Sequence, residues 1–289
     1  MNRIIDDMVR GYNACTIYEK KNAMKEVMQE IVLCGLSRAG FFRKAAFYGG
    51  TALRIFYGLD RFSEDLDFSL TQELSDYDMA EYFPVMEKEI RAFGLNVKIN
   101  TKEKINDSHI HSAFLKGSTR EHLLLFYSGE SDFADVSANE VIKIKFEIDV
   151  NPPSYASFER RYRLRPVPYE VNLYDEPSLF AGKIHAVIGR SWKNRIKGRD
   201  LYDYVFYLSK EAYVNLEHLR ARLLQSGHID ETEKFSLGLL KQLLCERFEK
   251  IDYEQAKADV APFIKDAAML NLWSADFFKQ ITVGLRGRE

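Results

Sequence analysis

The chain has 289 residues, enough for one large domain or two small ones, and its 46% hydrophobic and 29% charged content is that of an ordinary soluble globular protein. A net charge of −2 argues against broad, nonspecific coating of DNA, and three cysteines (Cys15, Cys34, Cys245), odd in number and without metal-like spacing, point to reduced thiols rather than a disulfide framework. The first ten residues carry charges without an apolar core segment, and no run is long enough to cross a membrane, so no secretory signal and no membrane partner are expected and the predicted location is cytoplasmic.

Residues 16–39 are predicted to form a long amphipathic helix, with Ile17, Met24, Val27, Met28, Ile31, Val32 and Leu36 at helical spacing and Gly40 as its stop. A strand over Ala45–Tyr48 then delivers a glycine turn, Gly49-Gly50, and a short helix from Thr51 that ends near Gly58. The next strand, about Leu66 to Leu70, is the most informative. Leu66, Phe68 and Leu70 alternate with Ser63, Asp65, Asp67 and Ser69, so the two carboxylates share one face, roughly 7 Å apart along the strand. Such a pair repels itself unless cations sit against it, and oxygen-only ligands suit Mg²⁺. The glycine pair brings bare backbone N–H groups to a helix start, where phosphate is favoured. Turn and acidic strand together suggest metal-assisted phosphoryl or nucleotidyl transfer.

Ser75 or Asp76 is expected to cap a helix running through Met79, Phe83, Met86 and Ile90 to Gly94, kinked or divided at Pro84. Leu95–Thr101 alternates as a strand. His109 and His111 stand at i, i+2 without a third N or S ligand beside them, so a surface strand is preferred there to a metal site. Residues 122–127 read as a short strand and 128–140 as a polar connection. From Val141 to Val150, Ile142, Ile144, Phe146, Ile148 and Val150 face one side while Lys143, Lys145, Glu147 and Asp149 face the other. Residues 151–176 look extended and proline-punctuated, a crossing into a second, helical part. Between Arg160 and Arg199 ten Lys/Arg stand against three acids, an excess suited to a triphosphate or an RNA backbone. Asp175-Glu176-Pro177-Ser178 signals a helix start. Along that helix Lys183 and Arg190, seven apart, share a face. A further helix is expected from Arg199, where Arg199 and Asp203 are spaced to pair and Asp200 to complement the dipole. The remainder is helical, with apolar anchors through Leu224, Leu244 and Phe278.

Two blocks carry a resemblance to a known family. Gly49-Gly50-Thr51-x-Leu53-Arg54 followed by Arg61-x-Ser63-x-Asp65-x-Asp67 resembles the first motif of the AbiEii-type nucleotidyltransferase toxins, members of the DNA-polymerase-β-like superfamily. Lys183-x-x-Ala186-x-x-x-Arg190, leading into Arg199-Asp200-Leu201-Tyr202-Asp203, resembles the second half of that pattern, so the likeness spans residues from about 45 to 210. The resemblance implies an α/β (α+β) fold: a mixed nucleotidyltransferase sheet with flanking helices over 1–172 and a helical domain over 173–289. It implies an NTP as substrate, one or two Mg²⁺ held by Asp65, Asp67 and a third carboxylate, Asp149 or Glu147, with Asp149 preferred because Asn151-Pro152-Pro153 ends the strand just after it. Nucleotide binding falls to Gly49, Gly50, Thr51, Arg54, Ser63, Lys183 and Arg190, and catalysis to Asp65, Asp67, Asp149, Lys183 and Asp200, the last either positioning Lys183 or assisting deprotonation. The implied acceptor is RNA, a tRNA 3′ end among the candidates, and the implied partner is a separately encoded antitoxin of the AbiEi type. A small-molecule or protein acceptor, and a nucleotide-binding module without turnover, are the rival readings.

Overall fold

A computed structural model of the chain describes residues 3–74, 77–95, 98–102, 110–118, 141–190, 196–232 and 234–288. They fall into two compact units. The first comprises Met1–Thr51, Ser63–Pro152 and Arg160–Leu173; the second comprises Ala52–Phe62, Pro153–Glu159 and Tyr174–Glu289.

The first unit opens with α1 (Arg3–Arg10) and α2 (Ile17–Arg38). Thr16 caps α2 and Glu19 reaches back to complete a capping box, which satisfies backbone donors that a helix start leaves open. The predicted apolar stripe is buried from Met24 onward, with Ile17 only half-buried; Asn22, Glu26, Gln29 and Glu30 are buried too, so between Asn22 and Leu36 α2 is covered on nearly every side. Two of those polar groups, Gln29 and Glu30, have work inside. Gln29 Nε2 donates to the carbonyls of Ser63 and Glu64, at 3.1 and 2.9 Å. The Glu30 carboxylate accepts from Arg163 Nε at 3.1 Å and from the Tyr169 hydroxyl at 2.8 Å.

After α2 come β1 (Ala45–Tyr48), α3 (Gly49–Tyr57) and β2 (Leu66–Leu70), the strands as predicted and the helix beginning at the glycine pair itself. A 3₁₀ turn, Met79–Tyr82, precedes α4 (Phe83–Ala92); Pro84 sits in the first turn of α4, where its missing N–H costs nothing, so it divides the expected helix. The strands β3 (Lys98–Lys102), β4 (Ile110–Ser118) and β5 (Val141–Asp149) follow. The cap at Ser75 or Asp76, His109, the strand over 122–127 and the connection over 128–140 lie outside the described residues.

Residues 151–176 are not a plain crossing. They contain β6 (Phe158–Arg163) and β7 (Tyr169–Tyr174), and β7 lies parallel to β1, pairing Phe47 with Leu173. The sheet order is β3-β4-β5-β2-β1-β7-β6. Its middle is held by aromatic contacts: Phe41 and Phe47 both meet Phe68, with ring centroids 4.9 and 5.2 Å apart. The acid-bearing strand β2 is thereby fixed from below, with Leu66, Phe68 and Leu70 inaccessible to solvent.

The second unit is mostly helical: α5 (Glu176–Gly189), α6 (Gly198–Ser209), α7 (Leu216–Gln225), α8 (Leu237–Phe248), α9 (Tyr253–Val260) and α10 (Ala275–Thr282). Asp175 caps α5 as its sequence predicts, accepting from the Ser178 N–H. A short parallel ribbon, β8 (Tyr213–Asn215) with β9 (Arg286–Arg288), is an addition the helical pattern did not announce. Phe180 stacks on Tyr207 at 4.3 Å, and Tyr204 and Phe278 both pack on Phe248. Gly198 opens α6 where a Cβ would stand 1.8 Å from the Ala256 carbonyl oxygen, so no larger residue fits without moving α9.

Candidate active site

The first cluster is built around the join between β1 and α3. Tyr48 pairs with Asp67 across the antiparallel β1–β2 ladder, and the chain then turns at Gly49 with φ +83°. A Cβ on Gly49 would lie 2.5 Å from Asp67 Oδ2, so the carboxylate occupies the room that a side chain would need. Glycine is required twice over, by the positive φ and by the acid beside it. The first N–H groups of α3, at Gly49, Gly50 and Thr51, have no acceptors within the helix and are the natural cradle for an anion. Thr51 is buried and its hydroxyl donates to the Asp65 carbonyl, holding the run into β2 against the helix start. Ser63 and Glu64 are held from the other side by Gln29, and Lys25 pairs with Glu64 at 3.0 Å. Asp65 and Asp67 are both half-buried. Ser69 shares their parity, but it is buried and donates to the Leu70 carbonyl. Arg54, expected at the nucleotide, lies in the second unit with its guanidinium donating to the Leu59 and Asp60 carbonyls and resting over the Phe62 ring at 4.3 Å.

The parallel β2–β5 ladder places both candidates for the third carboxylate. Its register places Glu147 beside Asp67 and Asp149 beside Ser69. Glu147 pairs with Lys145 at 2.6 Å, and Asp149 Oδ1 accepts from the Asn151 N–H at 3.0 Å where the strand ends. Among the described residues no three His, Cys, Asp or Glu side chains stand together as a metal cage. Mg²⁺ does not need one, because it is commonly held by one or two carboxylates with substrate phosphates and waters. The hard oxygen donors of Asp65 and Asp67, next to open backbone N–H groups, fit that mode.

The second cluster lies within the second unit. Lys183 Nζ stands between Asp200 Oδ1 at 2.7 Å and Asp203 Oδ2 at 2.8 Å. Arg190, at the end of α5, also pairs with Asp200. Arg61 faces Asp203 with Nε and Nη2, each 2.6 Å from a carboxylate oxygen, and both side chains are buried. Burial alone would raise the Asp200 carboxyl; Lys183 and Arg190 outweigh it and hold the group below the ordinary carboxylate range. Burial likewise works against the Arg61 charge, and Asp203 more than restores it. The expected Arg199–Asp203 pair does not form. Asp203 points inward to Arg61 and Lys183, while Arg199 reaches towards Asp259 and lies over Phe263. Much of the basic excess is therefore spent internally. Sequence reasoning named Lys183, Arg190 and Asp200, but missed the partnership of Arg61 with Asp203, 142 positions apart. The spacing of Asp200 and Asp203 on α6 was the one available signal.

A family model described as "Nucleotidyl transferase AbiEii toxin, Type IV TA system" matches residues 31–280. Among solved structures, MenT4, a nucleotidyltransferase toxin of Mycobacterium tuberculosis H37Rv, is similar in fold at 14% identity and a TM-score of 0.50, over 98% of this chain and 89% of that one. JHP933 of Helicobacter pylori is 18% identical with a TM-score of 0.49, over 90% of this chain and 89% of that one. A comparison with curated proteins returned no match. No helix among the described residues is long and apolar enough to cross a membrane.

Proposed function

The chain belongs to the AbiEii family of nucleotidyltransferase toxins of type IV toxin–antitoxin systems, and from that premise we propose that it moves an NMP from an NTP to a hydroxyl of an acceptor RNA, a tRNA 3′ end being the first acceptor to try. The observation that carries the proposal is the Gly49 turn, where open helix-start amides and the Asp67 carboxylate abut with no side chain between them. That juxtaposition suits phosphate oxygens and a hard cation at one point.

Gly49, Gly50 and Thr51 bind phosphate through their N–H groups, with Ser63 alongside. Asp65 and Asp67 would hold one or two Mg²⁺, which when bound neutralise phosphate charge and favour in-line displacement. Lys183 and Arg190 are assigned to neutralising phosphate charge during transfer. An acid held below its ordinary range is a poor base, so Asp200 is assigned to positioning Lys183 rather than to deprotonation. The acceptor hydroxyl gives up its proton to solvent, its oxygen bonds to the α-phosphorus, the bond to the bridging oxygen breaks, and pyrophosphate leaves. Asp149, where β5 ends, is assigned as the third carboxylate, with Glu147, beside Asp67 in the ladder, as the alternative. The partner implied by the type IV assignment is an antitoxin, here taken as AbiEi-type.

Purified protein with Mg²⁺, each α-labelled NTP and total RNA tests this. Label on a discrete RNA, lost in Asp65→Asn/Asp67→Asn, is the expected result. Transfer that survives RNase treatment of the acceptor pool, or that persists in the double variant, rejects it. Asp149→Asn should fall well below Glu147→Gln in rate, and the reverse order reassigns the third carboxylate.

A further inference from the structure

At the start of β1, the end away from the Gly49 turn, the first unit has a second feature with a charge that the nucleotide site does not use. A cavity of about 180 Å³ is lined by Arg38, Gly40, Phe42, Arg43, Arg160 and Glu170, with Ser37 at its side. Three guanidinium groups face one carboxylate there. Counting Glu89, which pairs with Arg38 from outside the lining, three positive charges still stand against two negative. The acids are committed: Glu170 accepts from Arg160 Nη1 at 2.9 Å, and Glu89 from Arg38. Ser37 is committed too, donating to the Glu170 carbonyl at 2.7 Å. Arg43 is exposed and makes no ion pair with a described residue. Its fork of donors is thus open to a ligand, and a planar guanidinium matches a phosphate oxygen pair.

The neighbouring edge strand supplies the rest. Phe158, Arg160 and Tyr162 follow one another on the outward side of β6, and Tyr162 is 69% exposed. Its ring stands on the same side of the strand as Arg160, about 7 Å along from it. A cationic pocket with an exposed aromatic beside it is what a single nucleic-acid strand needs, a seat for phosphate and a platform for a base. We propose that this cavity and Tyr162 form a subsite for the acceptor RNA, with Arg43, Arg38 and Arg160 taking a backbone phosphate and Tyr162 stacking on an adjacent base. The proposal rests on the RNA-acceptor reading above and gives that acceptor a second hold remote from the reacting end.

The test is fluorescence anisotropy of labelled bulk tRNA and of a labelled single-stranded 20-nucleotide RNA, over a salt series, with the full chain. Arg43→Glu removes the open guanidinium without breaking an ion pair among the described residues, and Arg160→Gln and Tyr162→Ala probe the other two contacts. Each should weaken RNA binding by about fivefold to tenfold, and the two arginine variants should flatten the dependence of log affinity on log salt by roughly one unit. Melting temperature and binding of a fluorescent NTP analogue with Mg²⁺ should match wild type. RNA affinity unchanged in Arg43→Glu and Tyr162→Ala overturns the subsite while leaving an RNA acceptor in place, and points the patch towards an acidic protein. If wild type binds neither RNA at low salt, the acceptor reading itself falls and the subsite with it.

Discussion

The two polar clusters handle charge in opposite ways. Around Gly49 the half-buried carboxylates of Asp67, on β2, and Asp65, just ahead of it, lie beside the amides of a helix start, held in place by backbone geometry: a ladder, a positive φ and the hydroxyl of Thr51. Around Lys183 the acids are buried and each is met by two cations, Asp200 by Lys183 and Arg190, Asp203 by Lys183 and Arg61. The first arrangement is the one proposed to meet a ligand; the second uses its charges to hold a lysine still. Removing a carboxylate from the first should change chemistry, and removing one from the second should change stability as well.

The largest separation should come from Asp65→Asn/Asp67→Asn, in which nucleotidyl transfer falls by about a thousandfold or more while the urea midpoint stays near wild type. Asp203→Asn should do the reverse in equilibrium unfolding. It strips Arg61 and Lys183 of a shared buried partner and is expected to cost about 3–5 kcal/mol. If Asp203→Asn unfolds at the wild-type urea concentration, the contrast fails. Gly49→Ala sits between the two: the positive φ and the clash with Asp67 should cost about 1–3 kcal/mol and reduce transfer together, read by thermal melting and by the labelling assay.

The mildest effect is a pH dependence. His218 is buried, its Nδ1 donates to the Ser154 carbonyl at 2.8 Å, and burial, with Arg222 adding to it, pushes it down to about 4. Its folded value lies below its ordinary one, so as pH falls through about 6.5 the unfolded chain takes up the proton first. Stability present at pH 7 is then lost, by about 2 kcal/mol at pH 5. His185, also lowered by burial, acts in the same direction. Asp200, held low, keeps its contribution above the ordinary carboxylate range and loses it only as pH falls through its depressed value. Urea midpoints at pH 7 and pH 5, compared with those of His218→Asn, check the histidine part.

The legible parts of this molecule were those where neighbours in sequence are neighbours in space. β2 is a five-residue alternation and α2 carries both its capping box and its apolar spacing, so each stood where its pattern placed it. β6 was hidden because it is an edge strand: Phe158-Glu159-Arg160-Arg161-Tyr162-Arg163 has half its residues in solvent and no apolar face to betray it. β7 was hidden by its proline-rich approach, although its pairing with β1 is what continues the sheet beyond the glycine turn. Arg61 and Asp203 were each visible as residues, but a pairing across 142 positions has no local trace. The Arg199–Asp203 expectation failed for a related reason. Helical spacing offers a partner, and the interior offered Asp203 two better ones.

Gln29 and Glu30 lie just ahead of the residues matched by the family model, which begin at position 31. Gln29 holds the carbonyls that lead into the acidic strand, and Glu30 neutralises Arg163 beneath β7. A fragment trimmed to the family boundary would therefore shed two internal fasteners of the sheet. For expression, crystallisation or fusion design, the minimal working piece has to start upstream of Thr16, so that α2 keeps its cap and both fasteners.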